Sequence, residues 1–354
     1  MHALRNNRGS RLVLAAAIGS IALMTAGCTS SGSAESTSEN EAVGDELAPS
    51  IYCGEECQEQ LALEADPASI DCSVGVSWSS ASFPYGAKST QQIPEFAEAF
   101  FPGMDITVSD GQGDSTVQSG QVDDMIAQGI DVLIISPQDA AALAGAVDRA
   151  TAAGIQVIAA DRAVDTEMST YIGSDNVEAG IVSGEAIVAD FPDGASVVEL
   201  AGSLGASPTI DRGDGFRQAL EGSNVEIIAT QTANYDRAEG LQVMEDFLQR
   251  YGSGEIDAVF THNDQMSFGA IQAIKEAGRE GEIKVYGIDG ESGALDLVQA
   301  GEYAATVGYP LVVKESVIAA AKLCAGEPID ERIVLDSTLI NADNVEEYTG
   351  RAPQ

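Results

Sequence analysis

The stretch VLIISPQDAAALAGAVDRATAAGIQVIAADR, which spans residues 132–162, decides the fold. Apolar runs of strand length lie near its two ends, at 132–135 and 157–160. Between them, Asp139 is a residue type that caps the start of a helix, and Gly154 is a residue type that ends one. Residues 140–153 are therefore predicted to form a helix, and the whole stretch a strand–helix–strand unit.

The same alternation of apolar runs and amphipathic stretches continues from residue 74 onward, with a second capped helix predicted between Asp236 and Gly252. Most runs lack a strict apolar–polar alternation, as expected for parallel strands that helices cover on both faces. Ten runs are too many for one sheet in a chain of this length, so we predict an α/β fold with two doubly wound parallel-sheet lobes. A closed eight-stranded barrel is the alternative. The runs are 74–76, 106–108, 132–135, 157–160, 171–172, 197–200, 227–229, 258–260, 285–288 and 305–307.

Composition excludes several classes of protein. The 354 residues include 17 Lys and Arg against 56 Asp and Glu, and the net charge of -39 opposes binding to a phosphate backbone. We therefore expect no nucleic-acid partner. Only two histidines are present, and one of them, His2, lies in the N-terminal leader. That a single histidine, His262, remains argues against a histidine-rich metal site and against a histidine-dependent catalytic triad in this chain. We expect no metal and no cofactor.

The first 27 residues have the features of a signal peptide. Three arginines precede an apolar run from Leu12 to Met24, which is too short to span a bilayer comfortably. The small residues before Cys28 resemble the lipobox of bacterial lipoproteins, which implies that Cys28 carries a lipid that anchors the chain to the cell membrane. Ordinary cleavage that leaves a free Cys28 thiol is the alternative. Residues 28–71 are predicted to be a lipid-anchored, flexible and acidic segment.

Four cysteines remain after Cys28, namely Cys53, Cys57, Cys72 and Cys324. An even number of cysteines in an exported chain indicates disulfides, and four thiols allow three pairings. Our hypothesis among these is Cys53 with Cys57 and Cys72 with Cys324. A zinc site is the alternative, and the absence of a nearby histidine disfavours it.

The ligand of an open parallel sheet binds beyond the carboxyl ends of the strands. The residues that follow the predicted strands here are polar, with several aromatic side chains among them. Carboxylates accept hydrogen bonds, guanidinium groups donate them and an Asn amide does both, so together they match the hydroxyls of a polyhydroxylated small molecule. These residues are Trp78 to Tyr85, Ser136, Asp161, Arg162, Tyr235, Asn263 and Asp289.

At these positions the chain resembles the ribose and galactose class (type 1) of periplasmic sugar-binding proteins, the soluble receptors of ABC importers. The resemblance runs from about residue 74 to residue 341. It is carried by Pro84-Tyr85, Ile135-Ser136-Pro137, Asp161-Arg162, Ser174-Asp175-Asn176, Arg212-Gly213-Asp214-Gly215-Phe216, Tyr235-Asp236-Arg237, Asn263-Asp264-Gln265-Met266 and Gly287-Ile288-Asp289-Gly290.

The resemblance implies a hinge of three chain segments between the lobes, near Ser174, Pro310 and Ser337. Residues 72–173 with 310–337 would form the first lobe, and residues 174–309 with 338–354 the second. It also implies that aromatic side chains line the sugar ring and that polar side chains of both lobes bind its hydroxyls. The aromatic residues are Phe83, Tyr85 and Tyr235, the polar ones are Asp161, Arg162, Asn263 and Asp289, and Ser136 and Tyr309 are peripheral.

Several positions depart from the ribose binders. Ser136 stands where they have an asparagine, Ile210 where they have an arginine, and Tyr309 where they have a glutamine. Each buried group left without a partner would cost a ribose-like ligand roughly 1 to 3 kcal/mol. Our hypothesis is a ligand with fewer hydroxyls at that end, a larger ring or an apolar substituent.

The resemblance implies an extracytoplasmic, lipid-anchored monomer that captures a sugar by hinge closure and passes it to an ABC importer permease. A sugar receptor that signals to a membrane sensor is one alternative. A glycoside hydrolase with Asp161 and Asp289 as its carboxylate pair is another. Hydrolysis needs a general acid with a raised pKa, whereas Arg162 beside Asp161 favours the charged carboxylate, so we expect no enzyme activity.

Overall fold

The computed structural model describes residues 47, 49–50 and 52–352. The predicted signal peptide and the predicted lipidation residue Cys28 lie outside these residues. Within the described part of the chain, none of the helices combines the length and the apolar character needed to cross a bilayer.

Six strands form the first sheet, and they are β1 (Cys72–Trp78), β2 (Met104–Asp110), β3 (Val132–Ser136), β4 (Gln156–Ala160), β5 (Thr170–Ser174) and β11 (Arg332–Leu335). Their order is β11-β5-β4-β3-β1-β2, and all neighbouring strands are parallel. Two helices pack on each face, with α2 (Pro84–Phe100) and α10 (Val313–Cys324) opposite α3 (Ser115–Gln128) and α4 (Ala140–Ala152). β3 is therefore buried along its whole length, which explains its unbroken apolar run.

The second sheet contains β6 (Ala195–Ala201), β7 (Val225–Thr232), β8 (Ala258–Thr261), β9 (Lys284–Asp289), β10 (Ala305–Gly308) and β12 (Thr338–Asn341). Their order is β12-β10-β9-β8-β6-β7. One face carries α5 (Asn176–Asp190) and α6 (Ser207–Leu220), and the other carries α7 (Arg237–Arg250), α8 (Asp264–Glu276) and α9 (Ser292–Gln299). A short helix, α11 (Val345–Tyr348), follows β12.

The predicted α/β fold with two lobes is confirmed, and two open sheets take the place of the alternative closed barrel. One strand departs from the parallel arrangement, since β12 pairs antiparallel with β10. β12 enters the second sheet directly from β11 through two residues, without the helical crossover that would turn the chain into the parallel direction.

The chain passes between the sheets three times, after Ser174, after Gly308 and after Leu335. We therefore propose 72–173 with 310–337 as the first lobe and 174–309 with 338–354 as the second. Helix starts follow the expected chemistry, since Asp139 accepts a hydrogen bond from the backbone N–H of Ala142 at 2.7 Å.

The N-terminal segment differs from the sequence prediction. Residues 28–71 are expected from the sequence to be flexible, but from Tyr52 onward the chain packs against the first lobe and forms helix α1 (Glu55–Gln60). Cys53–Cys57 and Cys72–Cys324 are disulfides, as hypothesised, which leaves none of these thiolates for zinc. The flexible-segment prediction is therefore wrong for residues 52–71, because disulfides and buried apolar side chains hold them. The buried residues are Tyr52, Cys53, Cys57, Leu61 and Ile70.

Candidate functional site

A small cavity of about 40 Å³ lies between the two lobes, beyond the carboxyl ends of the strands. We call it the cleft cavity. Eight of the nine residues singled out in the sequence line it, and the ninth, Ser136, lies behind Asp161. Two further residues, Pro208 and Arg212, complete the wall. The lining residues are Phe83, Tyr85, Asp161, Arg162, Pro208, Arg212, Tyr235, Asn263, Asp289 and Tyr309.

All lining residues except Arg212, which lies further along α6, belong to a strand end or to the start of the next helix. Asp161 and Arg162 follow β4, Asp289 ends β9, and Asn263 is the N-cap of α8, where its side chain accepts a hydrogen bond from the backbone N–H of Met266 at 3.0 Å. Phe83 precedes α2 and occupies its N-cap position. The topology of the two sheets therefore gathers residues more than 200 positions apart in one cleft.

Asp161 is held from both sides of the cleft. Its Oδ1 accepts a hydrogen bond from the Tyr309 hydroxyl at 2.9 Å, and its Oδ2 accepts one from the Ser136 hydroxyl at 3.3 Å. The Arg162 Nε lies 3.7 Å from Oδ2. Tyr309, which the resemblance places at the periphery, thus touches the central carboxylate, and Ser136 fixes that carboxylate from behind.

Arg212 is the main residue that the sequence reasoning missed. Its Nε donates to Oδ1 of Asn176 at 2.9 Å, and its Nη1 donates to the carbonyl of His262. Its guanidinium carbon lies 4.4 Å from the ring centroid of Tyr309, within cation–π range. Ile210, which the resemblance matches with an arginine of the ribose binders, is 52% exposed and does not line the cavity. The sequence feature that could have identified Arg212 as a site residue is its place as the first residue of the motif at 212–216.

Asp289 has an unusual electrostatic environment. Burial raises its pKa well above the usual range, and the negative charge of Asp264 adds to this effect. Asp264 is itself buried, which raises its pKa to about 7 although Tyr303 donates a hydrogen bond to it at 2.7 Å. Protonated Asp289 can donate a hydrogen bond as well as accept one, so it can bind either end of a hydroxyl dipole.

Backbone strain is concentrated at this cavity. Asp161, Tyr235 and Asp289 have φ values of 69°, 62° and 136°, a region that favours glycine. Gln112 and Asn234 are the other non-glycine residues with positive φ in the described part of the chain. Strained residues persist where the surrounding structure holds them, and they cluster at binding sites.

Aromatic rings form another part of the wall. Tyr85 stacks on buried Trp78 with ring centroids 6.3 Å apart, and its centroid lies 6.0 Å from that of Tyr309. The Tyr85 hydroxyl donates to the carbonyl of Pro310 at 3.3 Å. Tyr235 faces Arg162, whose guanidinium carbon lies 5.6 Å from the ring centroid. Such faces suit the C–H side of a sugar or polyol.

The lobes also touch directly at the rim of the cleft. The backbone N–H of Ala140 donates to the carbonyl of Gly205 at 3.1 Å. The backbone N–H of Ala163 donates to the hydroxyl of Ser207 at 2.8 Å. These two bonds join α4 and the loop after β4 to the loop before α6 and to the first residue of α6, so the lobes are in a closed arrangement.

Comparisons with known proteins agree with this architecture. The family model described as a periplasmic binding protein domain matches residues 74–328. The ribose import binding protein of Bacillus subtilis is 36% identical over 263 residues, which cover 73% of this chain and 84% of that protein. The crystal structure of a galactofuranose binding protein has a TM-score of 0.75 at 30% identity and covers 79% of this chain and 98% of that one. The fructose binding periplasmic domain of a hybrid two component system has a TM-score of 0.75 at 29% identity, and the match covers 79% of this chain and 94% of that one.

Proposed function

This chain belongs to the periplasmic binding protein family, and from that premise we propose that it is an extracytoplasmic lipoprotein that captures a sugar and delivers it to an ABC importer. Its type 1 fold and its relatives support a sugar-binding component of an import system. The cleft cavity is the observation that carries the proposal for this chain.

The chemistry of the cavity favours a neutral polyhydroxylated ligand. Two carboxyl groups, Asp161 and Asp289, face two guanidinium groups, Arg162 and Arg212, so the wall carries donors and acceptors in balance. A charged ligand would also have to give up its hydration in this buried site, which costs more free energy than burying a neutral ligand. Hydroxyls can bond to both kinds of group, while Tyr85 and Tyr235 offer apolar faces to the ring.

Hinge closure explains capture and release. Arg212 belongs to the second lobe and Asp161 to the first, so a ligand that bonds to both is held by both only in the closed form. That difference in affinity between the forms is what shifts the population toward closure. A dissociation constant near 1 μM, about -8.2 kcal/mol, suits capture followed by release.

A thermal-shift screen tests the proposal. We expect one member of a panel of pentoses, hexoses and polyols that includes ribose and fructose to raise Tm by about 5 °C or more at a hundredfold excess over Kd. Arg162→Met should abolish the shift, because Arg162 lies in the cavity beside Asp161. Arg149→Met is the matched control, since Arg149 pairs with Asp123 on the surface of the same lobe at 2.8 Å. No shift with any compound would contradict the proposal.

We propose that the protein binds its sugar and does not hydrolyse it. The relatives are binding proteins, and both carboxylate oxygens of Asp161 already accept hydrogen bonds from this chain. The sugar should therefore be recovered unchanged by mass spectrometry after prolonged incubation. A new product would instead favour the glycoside hydrolase alternative.

Cys28 is our proposed lipid anchor. Metabolic labelling with an alkyne fatty acid should mark the wild-type chain and not Cys28→Ala, which we expect in the culture medium. Labelling of both would contradict this assignment. We also propose that the protein works as a monomer, which light scattering would check.

A sensor role is the second candidate function, because the fructose binding domain noted above belongs to a two component system. Deletion of the gene separates the two. Loss of uptake of the radiolabelled sugar supports the importer role, whereas intact uptake with a lost transcriptional response supports the sensor role.

A further inference from the structure

The described N-terminal residues lie outside the range that the family model matches, which begins at residue 74. They nevertheless contact parts of both lobes. From these contacts we infer that Tyr52 braces the two lobes across the hinge and favours their closed arrangement. The inference concerns lobe closure itself and does not depend on which ligand binds.

The segment around Tyr52 is fixed to the first lobe. Cys53 and Cys57 form a disulfide, and both are buried in the first-lobe core. The backbone N–H of Ser50 donates to Oε1 of Glu315 on α10 at 2.7 Å. Lys322, near the end of the same helix, donates to the carbonyl of Ala62. Bonds on both sides therefore hold Tyr52 in place relative to the first lobe.

Tyr52 also contacts one of the three chain crossings. Its carbonyl accepts a hydrogen bond at 2.7 Å from the backbone N–H of Asp336, which is one of the two residues that link β11 to β12. A hinge motion is absorbed by changes in backbone angles at such connecting residues. The bond to Asp336 thus restrains the hinge itself.

The hydroxyl of Tyr52 reaches the second lobe. It donates to the carbonyl of Arg351 at 3.0 Å. Arg351 follows α11, and the neighbouring residues Val345 and Ala352 pack in the second-lobe core. Tyr52 therefore bonds to the crossing through its backbone and to the second lobe through its side chain. We expect rotation of that lobe about the crossing to move Arg351 away from the hydroxyl, in which case the bond favours the closed form.

The two rim bonds provide a remote readout. The amides of Ala140 and Ala163 bond across the cleft to Gly205 and Ser207, so opening of the lobes exposes them to exchange with solvent. They belong to the first lobe and take no part in the contacts of Tyr52. Hydrogen–deuterium exchange resolved to single residues can therefore report closure separately from local loosening near Tyr52.

The test is Tyr52→Phe in the full chain without any added sugar. We expect exchange at the Ala140 and Ala163 amides to quicken about two- to tenfold, the range that the net contribution of one hydrogen bond allows. The matched control is Tyr251→Phe, because the Tyr251 hydroxyl donates to the carbonyl of Ile228 at 3.2 Å within the second lobe alone. This control should leave both amides unchanged.

The outcomes are distinct. Faster exchange at the rim amides in Tyr52→Phe alone supports the brace. Faster exchange at the Asp336 amide with unchanged exchange at the rim amides would mean that Tyr52 stabilises only its surroundings, and it would overturn the inference. An equal increase of exchange at the rim amides in the control Tyr251→Phe would overturn it as well. The double variant Cys53→Ala/Cys57→Ala frees the segment from its disulfide and should quicken exchange at the rim in the same direction. None of these outcomes depends on whether a sugar binds, so they leave the proposed function to its own test.

Discussion

Within the cleft, two regions join the lobes, and their chemistry differs. The cleft cavity joins them through charged and aromatic side chains, such as Asp161, Arg212 and Tyr309, which a ligand can also use. The rim joins them through the backbone N–H groups of Ala140 and Ala163, which a ligand in the cavity does not need. We therefore expect changes in the cavity to alter selectivity and changes at the rim to alter closure.

The largest loss of sugar affinity is expected from a substitution inside the cavity. Asp161→Ala removes the carboxylate that accepts a hydrogen bond from Tyr309 at 2.9 Å and leaves Arg162 buried beside an apolar methyl group. We expect the sugar that gives the largest thermal shift to bind at least about 30-fold more weakly, about 2 kcal/mol, in calorimetry. Asp124→Ala, an exposed first-lobe aspartate, is the control. Equal affinities would remove Asp161 from the site.

A smaller effect is expected at the rim. Gly205 has φ +80°, and a Cβ there would lie 1.9 Å from Oδ2 of Asp139 in the other lobe. Gly205→Ala should push the lobes apart, increase the radius of gyration in solution scattering and weaken sugar binding on the order of tenfold, because fewer molecules are closed.

Gly222→Ala is the control for Gly205→Ala, because it introduces the same kind of backbone strain without a steric clash. Gly222 has φ +78°, but nothing lies within 4 Å of the position that a Cβ would take there. The control should therefore lose stability without any opening. If both variants scatter alike, the rim does not limit closure.

Tyr309 also lines the cavity, but its substitution by Phe removes only a hydroxyl, so its effect should be smaller still. Tyr309→Phe removes the hydroxyl that donates to Asp161 at 2.9 Å while it keeps the ring that faces Arg212. We expect affinity to fall by about 0.5 to 1.5 kcal/mol, the net contribution of one hydrogen bond. Tyr286→Phe removes a hydroxyl bonded to Asp190, away from the cavity, and should leave calorimetric affinity unchanged.

The smallest effect on binding is expected from a change at His262, which does not line the cavity but is predicted to make stability depend on pH. Burial lowers the pKa of His262 below its ordinary 6.5, although Glu199 at 3.0 Å opposes this shift. Its contribution to stability is therefore complete above about pH 6.5 and is lost as the pH falls below it, by at most about 1.4 kcal/mol per pH unit.

Denaturant unfolding between pH 7 and pH 5 checks this sign. His262→Gln should flatten the loss of stability relative to wild type, while sugar affinity changes little, because only the His262 carbonyl contacts Arg212. A steeper loss in the variant would contradict the assignment.

Much of the fold follows from local sequence. All ten apolar runs lie in strands β1 to β10, and the helix predicted at 140–153 is found at 140–152, because caps such as Asp139 and buried apolar runs act over short distances. β11 and β12 were missed as strands, since each has only four residues and lies at a sheet edge. Their pairing depends on partners far away in the chain.

The site was less complete from sequence alone. Residues directly after strands, such as Asp161 and Asp289, could be selected because topology places strand ends together. Arg212 lies one and a half turns into α6, where only the orientation of the helix decides that its side chain reaches the cavity. The packing of residues 52–71 also could not be predicted, since it depends on buried contacts with α10, about 260 residues later.

The Cys72–Cys324 disulfide has a consequence for survival outside the cell. It joins two points 252 residues apart, so most of the chain, including every strand from β1 to β10, lies inside one covalent ring. A secreted protease that nicks a single surface loop within that ring opens it without releasing a fragment, and the cut ends stay tethered near their native positions.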